Sequence, residues 1–110
     1  MEIVRDSLEG IPLIKITGDI DHLTGDSFDA SVKAALGEAE AILIDLTHCS
    51  YIDSGGLAVL FFACRNLPLG GWLGMVGCDK NIRRLFQIVR LDSNPAVRLF
   101  DDYPDLRENL

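Results

Sequence analysis

Four consecutive residues, Asp53-Ser54-Gly55-Gly56, set a carboxylate and a hydroxyl beside two glycines. They lie between an apolar run of strand length and the start of a helical stretch, where function in α/β proteins tends to collect. The first N–H groups of a helix lack intrahelical partners and point outward, at the positive end of its dipole. A serine placed there presents its hydroxyl to solvent, and a phosphate added to it can be met by those amides. Phosphorylation brings about −1.5 to −2 charges to one point. Asp53 opposes that charge, so the modification is expected to disturb a binding surface more than it orders one. Gly55 and Gly56 leave the hydroxyl open to a kinase. The same four residues also fit a plain cap, with Asp53 or Ser54 as N-cap contributing about 1 kcal/mol and the glycines letting the turn fit.

Other chemistries find less support. Asp53-Ser54-Gly55-Gly56 also resembles the nucleophile segment of chymotrypsin-like serine proteases. That site needs a histidine base and an orienting carboxylate, held on two β-barrels. His22 or His48 with Asp45 would have to supply them, in a chain of roughly half the required length and with too much helical periodicity. Ile52 stands where that family has Gly, and Leu57 where it has Pro. No catalytic residue is assigned, and the chain is expected to be a substrate rather than an enzyme. No Gly-x-x-x-x-Gly-Lys-Ser/Thr segment is present, and Gly70-Gly71 and Gly74 lack the helix start and acidic residue of a dinucleotide site. His22 and His48 are isolated, so neither a metal nor another cofactor is expected. Cys49, Cys64 and Cys78 are widely spaced and odd in number, and read as small buried hydrophobes in a reducing compartment.

The elements that position the junction follow from periodicity. Residues 3–5 and 11–16 read as two short strands around Glu9-Gly10. A polar loop over 18–23 precedes a helix over 24–36, with Thr24 as N-cap and Gly37 just past the end. Phe28, Val32, Ala35 and Leu36 form its apolar stripe. Residues 41–46 are nearly all apolar, as in a central strand covered on both faces, and a loop over 47–52 leads to the junction. The next helix carries Leu57, Leu60, Phe61 and Cys64 and ends before Pro68. Residues 72–77 form an interior strand whose glycines imply close backbone approach. Asp79 caps a third helix with Ile82, Leu85, Phe86 and Val89 on one face; a strand over 97–100 and a helix over 103–110 complete the chain. Trp72 and the phenylalanines fall on core positions. The order β-β-α-β-α-β-α-β-α predicts one α/β domain over residues 1–110, with a mixed sheet of four to five strands packed with about four helices.

Length and charge are consistent with that. A chain of 110 residues with 48% hydrophobic content sustains one core, burying roughly two-thirds of its unfolded surface. A net charge of −7 argues against nucleic acid, whose phosphates call for clustered Lys and Arg. The first residues lack the basic and apolar regions of a signal peptide, and the longest apolar run, over 55–64, is half a membrane span. A cytoplasmic protein is expected.

Four segments together resemble a known family. They are Ile16-Thr17-Gly18-Asp19-Ile20-Asp21, Ile42-Leu43-Ile44-Asp45-Leu46, Tyr51-Ile52-Asp53-Ser54-Gly55-Gly56-Leu57 and Ile82-Arg83-Arg84-Leu85-Phe86. In this order and spacing the chain resembles the STAS domain, named for sulfate transporters and anti-sigma factor antagonists, over nearly its full length. For antagonists, the resemblance implies that the serine after the junction Asp, here Ser54, is phosphorylated by a serine kinase that is also the anti-sigma factor. The unphosphorylated antagonist binds that kinase and frees the sigma factor, and a protein phosphatase acting on phospho-Ser54 restores binding. Asp21 matches an acidic position near the kinase-facing surface, so Asp21, Asp53, Ser54, Gly55 and Gly56 form the expected partner-binding set. Gly55 departs from the many antagonists that carry a second serine there, which leaves the acceptor in place but bears on kinase recognition. The family also contains members without the phosphate switch, so the alternative is a constitutive STAS subunit of a lipid-transport ATPase or a signalling scaffold.

Overall fold

The computed structural model describes residues 1–110. β1 (Glu2–Leu8) and β2 (Ile11–Thr17) pair antiparallel around Glu9 and Gly10, whose φ angles are 51° and 81°. Two left-handed residues in succession are what a type I′ hairpin turn requires. The chain then alternates through α1 (Gly25–Leu36), β3 (Ala41–His48), α2 (Ser54–Asn66), β4 (Trp72–Val76), α3 (Lys80–Ile88), β5 (Val97–Phe100) and α4 (Tyr103–Glu108). The strands lie in the order β1-β2-β3-β4-β5, and every pair after the first is parallel. This is the mixed α/β sheet that the periodicity predicts, with five strands and four helices.

Alternation along the strands divides the core. Ile14, Ile16, Ile42 and Ile44 face α1, α2 and α3, which contribute Phe28, Leu60 and Phe86 among others to the larger cluster. Leu13, Leu43, Val76 and Phe100 face the other way, where α4 brings the buried Leu106 and the half-buried Tyr103. Complete burial of one such side chain stabilises by about 1.5–3 kcal/mol, so β3, buried from Ala41 to Leu46, anchors both clusters.

Side chains finish covering the second face. A Cβ at Gly74 would lie 2.7 Å from both Leu43 Cδ2 and Trp72 Cζ3, so the indole ring lies across the strand at the glycine. The Arg98 guanidinium sits over that ring at 4.3 Å, and Phe100 meets it edge-on at 6.3 Å. The approach at Gly74 is therefore by side chains, and at Gly77 the nearest atom to an added Cβ would again be a side chain, Thr47 Oγ1 at 2.2 Å, with Thr47 Cα at 3.1 Å behind it. Trp72 is half-buried, as are Cys64 and Cys78, whereas Cys49 is buried. On the same face as Trp72, the buried Asp45 accepts the Tyr103 hydroxyl at 2.6 Å and the Thr47 N–H at 2.8 Å, fastening α4 to the central strand. No helix is long and apolar enough to cross a membrane.

Several local expectations shift. α1 starts at Gly25, and Thr24 does not cap it with its side chain. Its hydroxyl instead accepts the Asp21 N–H at 2.9 Å and donates to the Asp19 carbonyl at 3.0 Å. In α2 the most buried positions are Gly56, Val59, Leu60 and Ala63, with Leu57, Phe61 and Cys64 half-buried. That helix is apolar on most of its circumference, and its seating is set by the glycine.

Candidate functional site

Ser54 is the first residue of α2, reached from the end of β3 through residues 49–53. Asp53 is the N-cap: its extended backbone (ψ −179°) turns the chain, and its Oδ1 accepts the Gly56 N–H at 2.8 Å. The cap and the candidate acceptor thus fall on different residues, and the Ser54 side chain is exposed with its hydroxyl outside the cap. Gly55 is exposed beside it.

Gly56 is placed differently from the partner-binding role expected of it. It is buried, and an added Cβ would lie 2.7 Å from Ile52 Cγ2 and 2.8 Å from Ile20 Cγ2. The glycine lets the helix sit down on those two isoleucines, and it offers no surface to a partner.

Ile20 and Ile52 also bring the two loops together. They form an isolated parallel bridge, with Ile20 N–H bonded to the Tyr51 carbonyl at 2.9 Å and Asp53 N–H to the Ile20 carbonyl at 3.0 Å. One step earlier, Gly18 N–H reaches the His48 carbonyl at 3.0 Å. The stretch expected as free loop is therefore β3 for two further residues, followed by this bridge. The zip carries Asp21 to the junction. Its Oδ1 accepts the Leu23 N–H at 2.9 Å and lies 3.2 Å from the Thr24 hydroxyl oxygen. The Leu23 bond, chiefly, holds the carboxyl below its ordinary pKa, so Asp21 is an anion fixed in a turn.

Ser54 stands on a ridge between two grooves. One is lined by Asp21, Asp26, Asp29 and Asp53 with Gly55, and contains neither Lys nor Arg. The other is lined by Tyr51, Ile52, Leu57, Ile82 and Leu85, with Ser50 and Asn81 at its polar edge. Of the expected set, Asp21, Asp53, Ser54 and Gly55 come together at the surface. Asp26, Asp29, Tyr51 and Leu85 were not among the expected site residues. The spacing of Asp26 and Asp29 on one helical face was available as a signal, but nothing local marks Tyr51 as exposed.

The arrangement does not support a serine nucleophile. His22 shares the acidic groove with Ser54 but makes no hydrogen bond to it, and Asp45 is engaged with Tyr103 on the far side of the sheet. The carboxylates of the groove do not gather into a metal-binding group. Cys49, buried beneath the junction, donates to the Tyr51 carbonyl at 3.4 Å, and burial raises its thiol pKa, which works against thiolate chemistry. Burial likewise pushes Cys78 up to about 12.

Comparison with known proteins agrees with the fold. The chain is 23% identical over 90 residues to BtrV of Bordetella bronchiseptica, provisionally named an anti-sigma factor antagonist, spanning 80% of this chain and 78% of that protein. An anti-sigma factor antagonist from Mycobacterium paratuberculosis superposes with a TM-score of 0.80 at 21% identity, covering 88% of this chain and 84% of the other. The phosphorylated form of the Bacillus cell fate determinant SpoIIAA gives 0.74 at 18% identity, covering 99% and 100%. The STAS domain pattern itself matches residues 2–106. With that match spanning nearly all of its length, and the fold agreeing, the chain belongs to the STAS domain family.

Proposed function

We propose that the protein is an anti-sigma factor antagonist that works as a phosphorylation-controlled partner switch. In this reading it binds a kinase-type anti-sigma factor while Ser54 is unmodified, is released when that kinase phosphorylates Ser54, and is restored by a phosphatase. The observation that carries the reading is the division of labour at the start of α2. Asp53 satisfies the helix end, so the exposed Ser54 hydroxyl is free for modification without unmaking the cap.

The surroundings give the modification a direction. A phosphate on Ser54 stands beside Asp53 and faces Asp21 and Asp26, with no Lys or Arg lining that groove to pair with it. On its other side lies an apolar groove, where a docked partner forces it to shed water. An uncompensated charge or a lost buried hydrogen bond at an interface costs about 2–5 kcal/mol, roughly 30- to several-thousand-fold in affinity. That is enough to reverse occupancy. The names of BtrV and the M. paratuberculosis protein support the antagonist role, and the phosphorylated form of SpoIIAA supports the modification.

The deciding experiment is intact-mass analysis of the protein isolated from its native cells, with peptide mapping across residues 44–65. A fractional phosphate on Ser54, lost in Ser54→Ala, is the expected result. No phosphate under several growth conditions, with a Ser54→Asp protein binding its partner as well as wild type, would overturn the switch and leave a constitutive STAS subunit.

A further inference from the structure

The surface around Ser54 does not end at its two grooves. The apolar groove is walled on one side by Asn81, Ile82 and Leu85 of α3, and other positions of the same helix, Lys80, Arg83 and Arg84, line a further groove on its outer side. Ion pairing sorts the charges on both flanks. Asp29 is held by Lys33 at 3.0 Å and Arg83 by Asp101 at 2.6 Å, so those charges are already satisfied. Asp21 and Asp26 on one flank, and Lys80 and Arg84 on the other, have no ionic partner within the chain. In a protein of net charge −7, Lys80 and Arg84 set two cations on one side of α3, in a groove lined by no carboxylate. Tyr51 is 53% exposed at the centre of this surface.

We propose that Asp21 and Asp26, the Tyr51–Leu57–Leu85 floor, and Lys80 and Arg84 form one continuous docking surface. Its occupant is the protein that reads Ser54, and that partner presents an apolar anchor with basic groups on one side and acidic groups on the other. The inference rests on the partner-switch reading and adds to it the chemistry of the partner. A buried anchor supplies most of the binding energy in such interfaces. The flanking charges steer the encounter and fix its register, because the reversed orientation sets like charges against each other. One orientation keeps the Ser54 hydroxyl facing the same part of the partner in every encounter, which a kinase needs.

The test measures Ser54 phosphorylation of the purified chain by extracts of its native cells, from several growth phases, with labelled ATP. Absence of label on wild-type Ser54 in all extracts means that the partner-switch reading itself fails. Where wild type is labelled, Arg84→Glu and Asp26→Lys are each expected to lower kcat/KM by about tenfold, as expected for a lost steering and registering charge. Leu85→Ala, which trims the apolar floor, should lower it by at least as much. Arg107→Glu, a charge reversal on the distant α4, should leave it unchanged, and thermal melts of each variant establish that it is folded. Unchanged kcat/KM in folded Arg84→Glu, Asp26→Lys and Leu85→Ala proteins sinks the docking surface while leaving the switch intact. A wild-type dimer by sedimentation that Arg84→Glu dissociates would assign the surface to a second copy instead, and would equally overturn the proposal.

Discussion

At the scale of single residues, the junction separates two tasks that neighbouring side chains often share. Asp53 holds the helix end and Ser54 carries the exposed hydroxyl, so their substitutions should part company. Asp53→Ala is expected to cost about 1 kcal/mol of stability through the lost cap, whereas Ser54→Ala should stay within about 0.5 kcal/mol of wild type. Urea denaturation of both proteins checks this, and a larger loss for Ser54→Ala than for Asp53→Ala would place the cap on the serine. Gly56 makes a sharper case. Ala adds helix propensity there, but its Cβ collides with Ile20 and Ile52, which are locked in the loop bridge. Overpacking of about 1–3 kcal/mol outweighs a propensity gain of at most about 1 kcal/mol, so Gly56→Ala should lower stability. A melt as high as wild type would show that the isoleucines yield freely.

At the scale of elements, the clearest strain sits at the end of α3. Arg90 has φ +61°, the left-handed conformation that lets Leu91 N–H return to the Phe86 carbonyl at 2.9 Å and bury Leu91. Glycine adopts that conformation without cost, so Arg90→Gly should raise stability by about 0.5–1 kcal/mol, read as a higher urea midpoint. An unchanged or lower midpoint would mean that the arginine side chain contributes more than its backbone costs. The elements themselves were legible in the sequence because their signals are local. The apolar run over 41–46 has strand length, α3 has apolar residues at spacings of three, four and seven, and Asp53 and Asp79 cap as their positions predict. What escaped is what depends on distant partners. Thr24 looks like a cap until Asp19 and Asp21 claim its hydroxyl, and residues 47–52 look like free loop until Ile20 bridges to Ile52. The candidate serine stood out in four consecutive residues, Asp53-Ser54-Gly55-Gly56. The grooves around it did not, because they join α1, α2 and α3 across gaps that no short window spans.

At the scale of the whole molecule, the two faces of the sheet divide the labour. Ser54 and its grooves belong to the side of α1, α2 and α3, while the opposite face is held by α4 and the Asp45–Tyr103 bond. Burial opposes ionisation of Asp45, but bonds from Thr47 and Tyr103 outweigh it and hold the carboxyl below its ordinary 3.8. A depressed carboxyl stabilises the fold above its unfolded pKa, and that contribution is lost as pH falls through the folded value. Burial and the same bond raise the Tyr103 phenol, whose contribution is full at neutral pH and is lost only in strong alkali, as pH rises from the unfolded value through the folded one. Tyr103→Phe should therefore cost about 1–3 kcal/mol at neutral pH, a difference that shrinks as the solution is acidified below 3.8. Urea denaturation across that range measures it, and a pH-independent difference would remove Asp45 from the account. The indole roof on the same face has an optical consequence. Trp72 is the chain's single tryptophan, and it lies under Arg98 on the side of the sheet away from Ser54. Its emission should report on loss of α4 and on global unfolding, yet remain blind to whatever happens at the serine. Ligand titrations followed by native fluorescence would then look silent even at full occupancy, and a Tyr51→Trp protein would supply the missing signal.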